Sequence, residues 1–277
     1  MANVLAPLPA PTLAEVSFST DTNAVTVLTD PALQQACGLR IAFTGRSGGV
    51  SLPPYTSLNL GDHVGDDLMA VTENRELLMD ALCIEKTAQA SLINPNQVHG
   101  DEIITVGDDV HESREFALDG ADGIVCSRQQ IPVLLCFADC VSVILAAPSG
   151  AFAVLHAGWR GALAGIPGKG LAQLAAEAGC APEDCNAYIG PHIGACCYET
   201  SQEILDKFIA KYGEACDAGS RHLDLTAAVT ASLVTAGASA DRIVDAAICT
   251  SCHNDTHFSY RADGGITGRH GALAYLA

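Results

Sequence analysis

Three residues of this chain are suited to chemistry by type and by setting: His99, Cys140 and His156. Each closes a short apolar run and sits in or before a turn signal, within QVHG (97–100), ADC (138–140) and HAGWRG (156–161). Two imidazoles and one thiolate make a zinc-ligand set that leaves a fourth position open for water or substrate. The same donors also suit copper. Their intervals of 41 and 16 residues match no local zinc spacing, so residue type and placement at strand ends carry the reading. Without metal, the same atoms form a nucleophile and base, Cys140 with His99 or His156, and Asp139 could orient the histidine. A third reading makes Cys140 a core thiol and the histidines hydrogen-bonded loop residues.

Other residues could line such a site. Arg46 lies in the Gly-flanked turn TGRSGG, where backbone amides and a guanidinium can cradle an oxyanion. No GKS or GKT follows, so the turn is not a Walker A loop. Arg160 lies four residues after His156, with a salt bridge in this acidic chain as its alternative role. His192, Cys196 and Cys197 follow a strand and a Gly-Pro turn, placed either on a far wall of the site or in turn packing. CTSCH (249–253) is a CxxC without a second CxxC, a poor structural-zinc signal by itself. Asp119 and Asp122 flank Gly120-Ala121 and read as turn formers.

Strands must position the three residues. Branched apolar runs predict strands at 39–43, 103–106, 123–126, 133–137, 141–146, 151–156, 186–189 and 243–248. The alternating run 24–28 reads as an edge strand, and the end of the chain as a final apolar strand. Short separations in the central block favour antiparallel or mixed pairing. Helical spacing appears at 68–83, 201–212 (Ser201 as N-cap) and 225–236. Pro167-Gly168 is expected to interrupt the helix after HAGWRG and to leave a segment at about 169–179. Residues 1–37 read as a partly loose N-terminal extension, and 38–277 as one α/β domain without an internal repeat.

Composition narrows the classes of function. The chain has 277 residues, 49% hydrophobic and 17% charged, which suits a large core and argues against extended disorder. A net charge of −18 repels nucleic acid and anionic membranes. No run reaches the roughly 18 apolar residues of a membrane span, and the first residues lack a basic and then apolar leader. Twelve cysteines in such a chain are expected to be reduced, in the cytoplasm.

Several long motifs in one order extend the reading. QVHG, DGADGIVCSRQQIPVLLCFADC, LHAGWRG and IGPHIGACCYE resemble the YfiH-type, laccase-domain proteins, also described as purine nucleoside phosphorylases. FTGRSGGVSLPPYTSLNLGDHVGDD and FSYRADGGITGR extend the match over about 38–277. The resemblance implies an α/β/β/α sandwich with mixed sheets, similar to the catalytic domain of cytotoxic necrotizing factor toxins. It implies zinc held by His99, Cys140 and His156. Arg46 matches the arginine of the family's Phe-Ser-Thr-Arg-like turn, with Gly45 in place of Thr, and His192 falls in its Gly-Pro-x-Ile segment. The chemistry implied is phosphorolysis of adenosine, inosine, guanosine and methylthioadenosine, and deamination of adenosine. Phosphate would be held by Arg46, and the leaving base protonated by His192 or by metal-polarised water. The alternatives are a cysteine hydrolase editing peptidoglycan precursors and a laccase-like polyphenol oxidase. A laccase requires about ten histidines, and this chain has nine, without an HxH pair. The first 37 residues, Pro167-Gly168 and CTSCH depart from the family pattern.

Overall fold

The computed structural model describes residues 6–19 and 24–277. In chain order its elements begin with β1 (Ala14–Ser19), β2 (Ala24–Thr29), α1 (Pro31–Cys37) and β3 (Leu39–Thr44). Then come α2 (Leu68–Ala81), α3 (Lys86–Gln89), β4 (Ile103–Thr105) and α4 (Val110–Asp119). The central block is β5 (Gly123–Cys126), β6 (Val133–Phe137), β7 (Val141–Ala146) and β8 (Phe152–Ala157), followed by α5 (Trp159–Ala164) and α6 (Ile166–Ala178). The chain closes with β9 (Asn186–Ile189), α7 (Gln202–Tyr212), α8 (Leu225–Thr235), β10 (Ile243–Asp245) and β11 (His270–Leu276).

Two sheets result. One has the order β1-β2-β3-β11-β6 and is antiparallel throughout. The other has the order β10-β9-β7-β8-β5-β4 and is mixed, with parallel pairs at its two margins. Strand alternation builds the layers. Ile144 points between the sheets with Phe43, Phe137, Phe152 and Tyr188. Its neighbours Val143 and Leu145 face the other way, against Leu171 and Leu174 of α6 and Val229 of α8. On the far side, Val27, Leu134 and Leu273 bury against Leu78 and Met79 of α2. Because β7 and β8 are covered on both faces, they read as mostly apolar runs, interrupted only by Ser142 and His156, rather than as alternating ones. Truncating Leu155 of β8, fully buried here, would cost roughly 2–5 kcal/mol.

Several expectations are corrected. Within the N-terminal segment, β1 and β2 extend the first sheet, and Leu8 and Leu33 bury between the sheets, so these parts are ordered rather than loose. Residues 1–5 and 20–23 of this segment lie outside the described residues. β2 is not an edge strand, since β1 takes the margin. Pro167 does not interrupt a helix. It occupies the first turn of α6, where no N–H is required of it. The break lies at Gly165, whose φ of 92° ends α5 and opens α6. The strand expected at 243–248 stops at Asp245. Helices α1 and α4 were not foreseen. Each starts on an aspartate that accepts two backbone N–H bonds, Asp30 from Ala32 and Leu33, Asp109 from His111 and Glu112. Among the described residues no helix is long and apolar enough to cross a membrane.

A candidate metal centre

Antiparallel pairing of β7 with β8 sets Val141 opposite Ala157 and Ser142 opposite His156. Cys140, just before β7, therefore arrives beside the end of β8. β5 pairs with the other side of β8, and the His156 amide donates to the Asp122 carbonyl at 2.7 Å. Asp122 then acts twice through its side chain, which is fully buried. Its carboxylate accepts the backbone N–H groups of Val98, His99 and Gly100 at 3.2, 3.0 and 2.6 Å. It also pairs with Nδ1 of His156 at 2.7 Å. The first set fixes the turn that carries His99, which has a φ of 60°. The second assigns the proton to Nδ1 of His156 and leaves Nε2 for the cluster. Burial works against charge on Asp122, but His156 and the Gly100 and His99 amides outweigh it, so the carboxyl stays below its usual range.

The turn before β7 is held as firmly. Asp139 has a φ of 87°, a left-handed conformation costly for a residue other than glycine. Its carboxylate accepts from the Thr250 hydroxyl and the Arg261 amide, both at 2.7 Å, and its carbonyl accepts the Ile193 amide at 2.9 Å. Three distant segments thus fix the residue next to Cys140.

The donor atoms of His99, Cys140 and His156 all lie within 4.8 Å of one another. The two imidazole rings meet edge to face, with centroids 4.8 Å apart. A Cβ at Gly158 would stand 3.3 Å from both Cys140 Sγ and His99 Cδ2, so glycine keeps this corner free. Ligands of a tetrahedral zinc with bonds of about 2.0–2.3 Å lie roughly 3.3–3.7 Å apart, and the trio's separations are bounded at 4.8 Å. Burial disfavours a Cys140 thiolate, yet His156 and His99 more than compensate and bring the thiol down to about 6. His156 is raised in turn: burial opposes its charge, and Cys140 and Asp122 overcome that. The residues present fit a metal that binds thiolate and imidazole.

The cluster forms the floor of a cavity of about 430 Å³. Phe137, Tyr198 and Tyr260 supply its aromatic wall. Arg261, Arg269 and His63 supply its nitrogen groups. Arg261 donates to the carbonyls of Cys197 and Glu199 and sits over the Tyr198 ring at 5.6 Å. Arg269 donates to the carbonyls of Thr267 and Gly268 and sits over Tyr260 at 5.9 Å. Burial and the Cys140 charge push the Tyr198 phenol up to about 12, so it is a hydrogen-bond donor at neutral pH. A larger hollow of about 520 Å³ runs along α2, but none of the three cluster residues reaches it.

The structure brings His99, Cys140 and His156 together and leaves the other candidates outside. Arg46 does not line the cavity. Its guanidinium donates to the Thr56 and Asn254 carbonyls, lies 3.9 Å from Asp263 and covers the Phe258 ring at 4.7 Å. His192 does not line it either: its ring nitrogens meet the Gly190 carbonyl and the Thr226 hydroxyl. Arg160 lies over Trp159, and Cys196 and Cys197 turn toward Cys249 and Cys252. Sequence reasoning missed Asp122, read as a turn former, and gave no role to Tyr260, Arg261 and Arg269. The segment FSYRADGGITGR carries these last three, but nothing in its spacing ties them to a site more than a hundred residues earlier in the chain.

Comparison with known proteins shows the family. The family model for multi-copper polyphenol oxidoreductase laccase matches residues 40–277. The chain belongs to this laccase-like YfiH family. Among its relatives is a protein of Geobacillus stearothermophilus named purine nucleoside phosphorylase YlmD, 35% identical, with 86% of this chain and 90% of that protein covered. Purine nucleoside phosphorylase YfiH of Escherichia coli is 32% identical over 89% of this chain and 97% of its own length. The solved YlmD structure from Geobacillus stearothermophilus superposes with a TM-score of 0.81 at 30% identity, covering 95% of this chain and 99% of that one. A Bacillus licheniformis YfiH structure gives 0.81 at 31% identity, covering 91% and 96%. This YfiH-family chain thus resembles its relatives in sequence and shares their fold.

Proposed function

We propose that this chain is a zinc-dependent purine nucleoside phosphorylase acting on adenosine, inosine, guanosine and methylthioadenosine, and that it also deaminates adenosine. One observation carries the reading: a His₂Cys cluster floors a cavity whose wall bears two guanidinium groups and two phenol rings. The names of the relatives point the same way. Aromatic faces suit a purine, and guanidinium groups suit phosphate. Zinc bound by His99, Cys140 and His156 would supply Lewis-acid polarisation at the cavity floor.

In phosphorolysis an oxygen of phosphate bonds to C1′ of the ribose as the C1′–N9 bond breaks. The electron pair leaves with the purine, which takes up a proton. Arg261 and Arg269 replace Arg46 as the phosphate-holding groups, because they line the cavity and Arg46 does not. His63 replaces His192 as proton donor to the leaving base for the same reason. Deamination replaces the C6 amino group with oxygen from water and releases ammonia. Twelve free cysteines fit a reducing, cytoplasmic setting.

Incubating the purified chain with adenosine, with and without phosphate, tests this by mass spectrometry of the products. Adenine and ribose-1-phosphate formed only with phosphate are expected, and inosine without it. Cys140→Ala should abolish both. Phosphorolysis that survives this change would refute the metal's role.

The Asp122–His156–Cys140 line favours a second reading, a cysteine hydrolase that cleaves an amino acid from a nucleotide-sugar conjugate. Turnover resistant to chelators and sensitive to iodoacetamide would select it. Laccase-type phenol oxidation has less support: among the described residues only one potential metal group contains histidine.

A further inference from the structure

Four more thiols meet outside the cavity. The sulfurs of Cys196, Cys197, Cys249 and Cys252 all lie within 4.8 Å of one another. Cys252 Sγ stands 3.5 Å from Cys196 Sγ and 3.4 Å from Cys197 Sγ. None of these pairs is bonded, since a disulfide requires about 2.05 Å. A zinc tetrahedron with Zn–S bonds of about 2.3 Å has edges of roughly 3.8 Å. These two separations are slightly below that value, and the upper bound on the rest is 1 Å above it.

We propose that Cys196, Cys197, Cys249 and Cys252 form a second metal site, a closed four-thiolate centre that binds zinc and serves structure rather than turnover. Two tight turns build it. Gly194 accepts the Cys197 and Tyr198 amides, both at 3.0 Å, and Cys249 accepts the His253 amide at 3.0 Å. The turns are fastened side by side: His192 donates to Ile248 at 3.1 Å, and Thr250 to His192 at 3.0 Å. The Gly194 amide donates to Cys249 Sγ at 3.2 Å, an outer-shell bond that favours a ligating thiolate. Cys196 and Cys252 are exposed, which gives an ion a path of entry. The CxxC of 249–252 lacks a second CxxC in the sequence, and the adjacent pair 196–197 takes its place in space.

The site staples two loops that also shape the cavity wall. Tyr198 follows Cys197 directly, and Arg261 donates to the Cys197 carbonyl. Thr250, inside the CxxC, holds the carboxylate of Asp139 next to Cys140. A bound ion would therefore fix one wall of the cavity without touching substrate.

The test measures zinc per chain by elemental analysis, in protein expressed with zinc and purified under reducing conditions. The double variant Cys249→Ser/Cys252→Ser should hold one equivalent less than the unaltered chain and melt at a lower temperature. Cys140→Ala should keep that equivalent, so the outcome is independent of the catalytic reading. If the double variant fails to fold, the unaltered chain decides through its cobalt-substituted form. Thiolate-to-cobalt charge-transfer absorption of a four-sulfur centre must then persist in Cys140→Ala. Equal zinc in the folded double variant and the unaltered chain, or no such absorption in Cys140→Ala, overturns the proposal.

Discussion

Asp122 accepts three amides of the His99 turn and also holds the ring of His156. Replacing it with Asn keeps the size but removes the charge that fixes the Nδ1 proton. Asp122→Asn should weaken metal binding roughly 10–100-fold, read by competition with a coloured chelator. Gly158→Ala should lower metal content as well, because the new methyl group would press on Cys140 and His99. Arg261→Ala should raise the KM for phosphate at least tenfold. Arg46→Ala should leave that KM unchanged and instead lower the melting temperature, since its guanidinium ties residues 46, 56 and 254 together. Cys140 and His156 were legible in the sequence because each stands at the end of an apolar run, and His99 because it lies in the turn segment QVHG. Asp122 was not, because its role comes from β5 lying beside β8, and aspartate near glycine reads as a turn. Arg261 and Arg269 were hidden for a related reason: closure of the fold, rather than local spacing, brings them to the cavity.

At the scale of elements, the central strands were legible because burial on both faces writes them as mostly apolar runs. The helices after β8 are harder to read from sequence, because a proline breaks a helix in its interior but suits its first turn, where Pro167 lies. Since Pro167 lies in the first turn of α6, Pro167→Ala should change stability by less than about 1 kcal/mol. Gly165→Ala should cost about 1–2 kcal/mol, because its φ of 92° is left-handed. Urea unfolding of the two variants separates these outcomes. β1 is not evident from the sequence because it lies at the sheet margin, with only Val16 and Phe18 half-buried among exposed residues.

The whole molecule carries a pH dependence beneath the site. His270 stacks on Phe137, at 6.4 Å between centroids, and meets His257 edge to face at 5.7 Å. Burial, with a neighbouring histidine charge in each case, lowers His257 to about 4 and His270 well below its usual range. Both rings are therefore neutral in the fold, while the unfolded chain protonates them near pH 6.5. Stability should be full above that pH and fall toward pH 4, by up to roughly 1.4 kcal/mol per pH unit for each ring. Urea midpoints at pH 7.5 and pH 5 measure this, and His270→Phe should flatten the slope.

The order β1-β2-β3-β11-β6 also has a consequence in time. β11 lies between β3 and β6 and is synthesised after both. While the ribosome is still extending the chain, the first sheet is split, with one open edge on β3 and another on β6. The nascent protein thus holds two unsatisfied halves apart until its latest strand emerges and zips them together. A chain stalled before residue 270 would offer both edges to chaperones, or to other stalled copies.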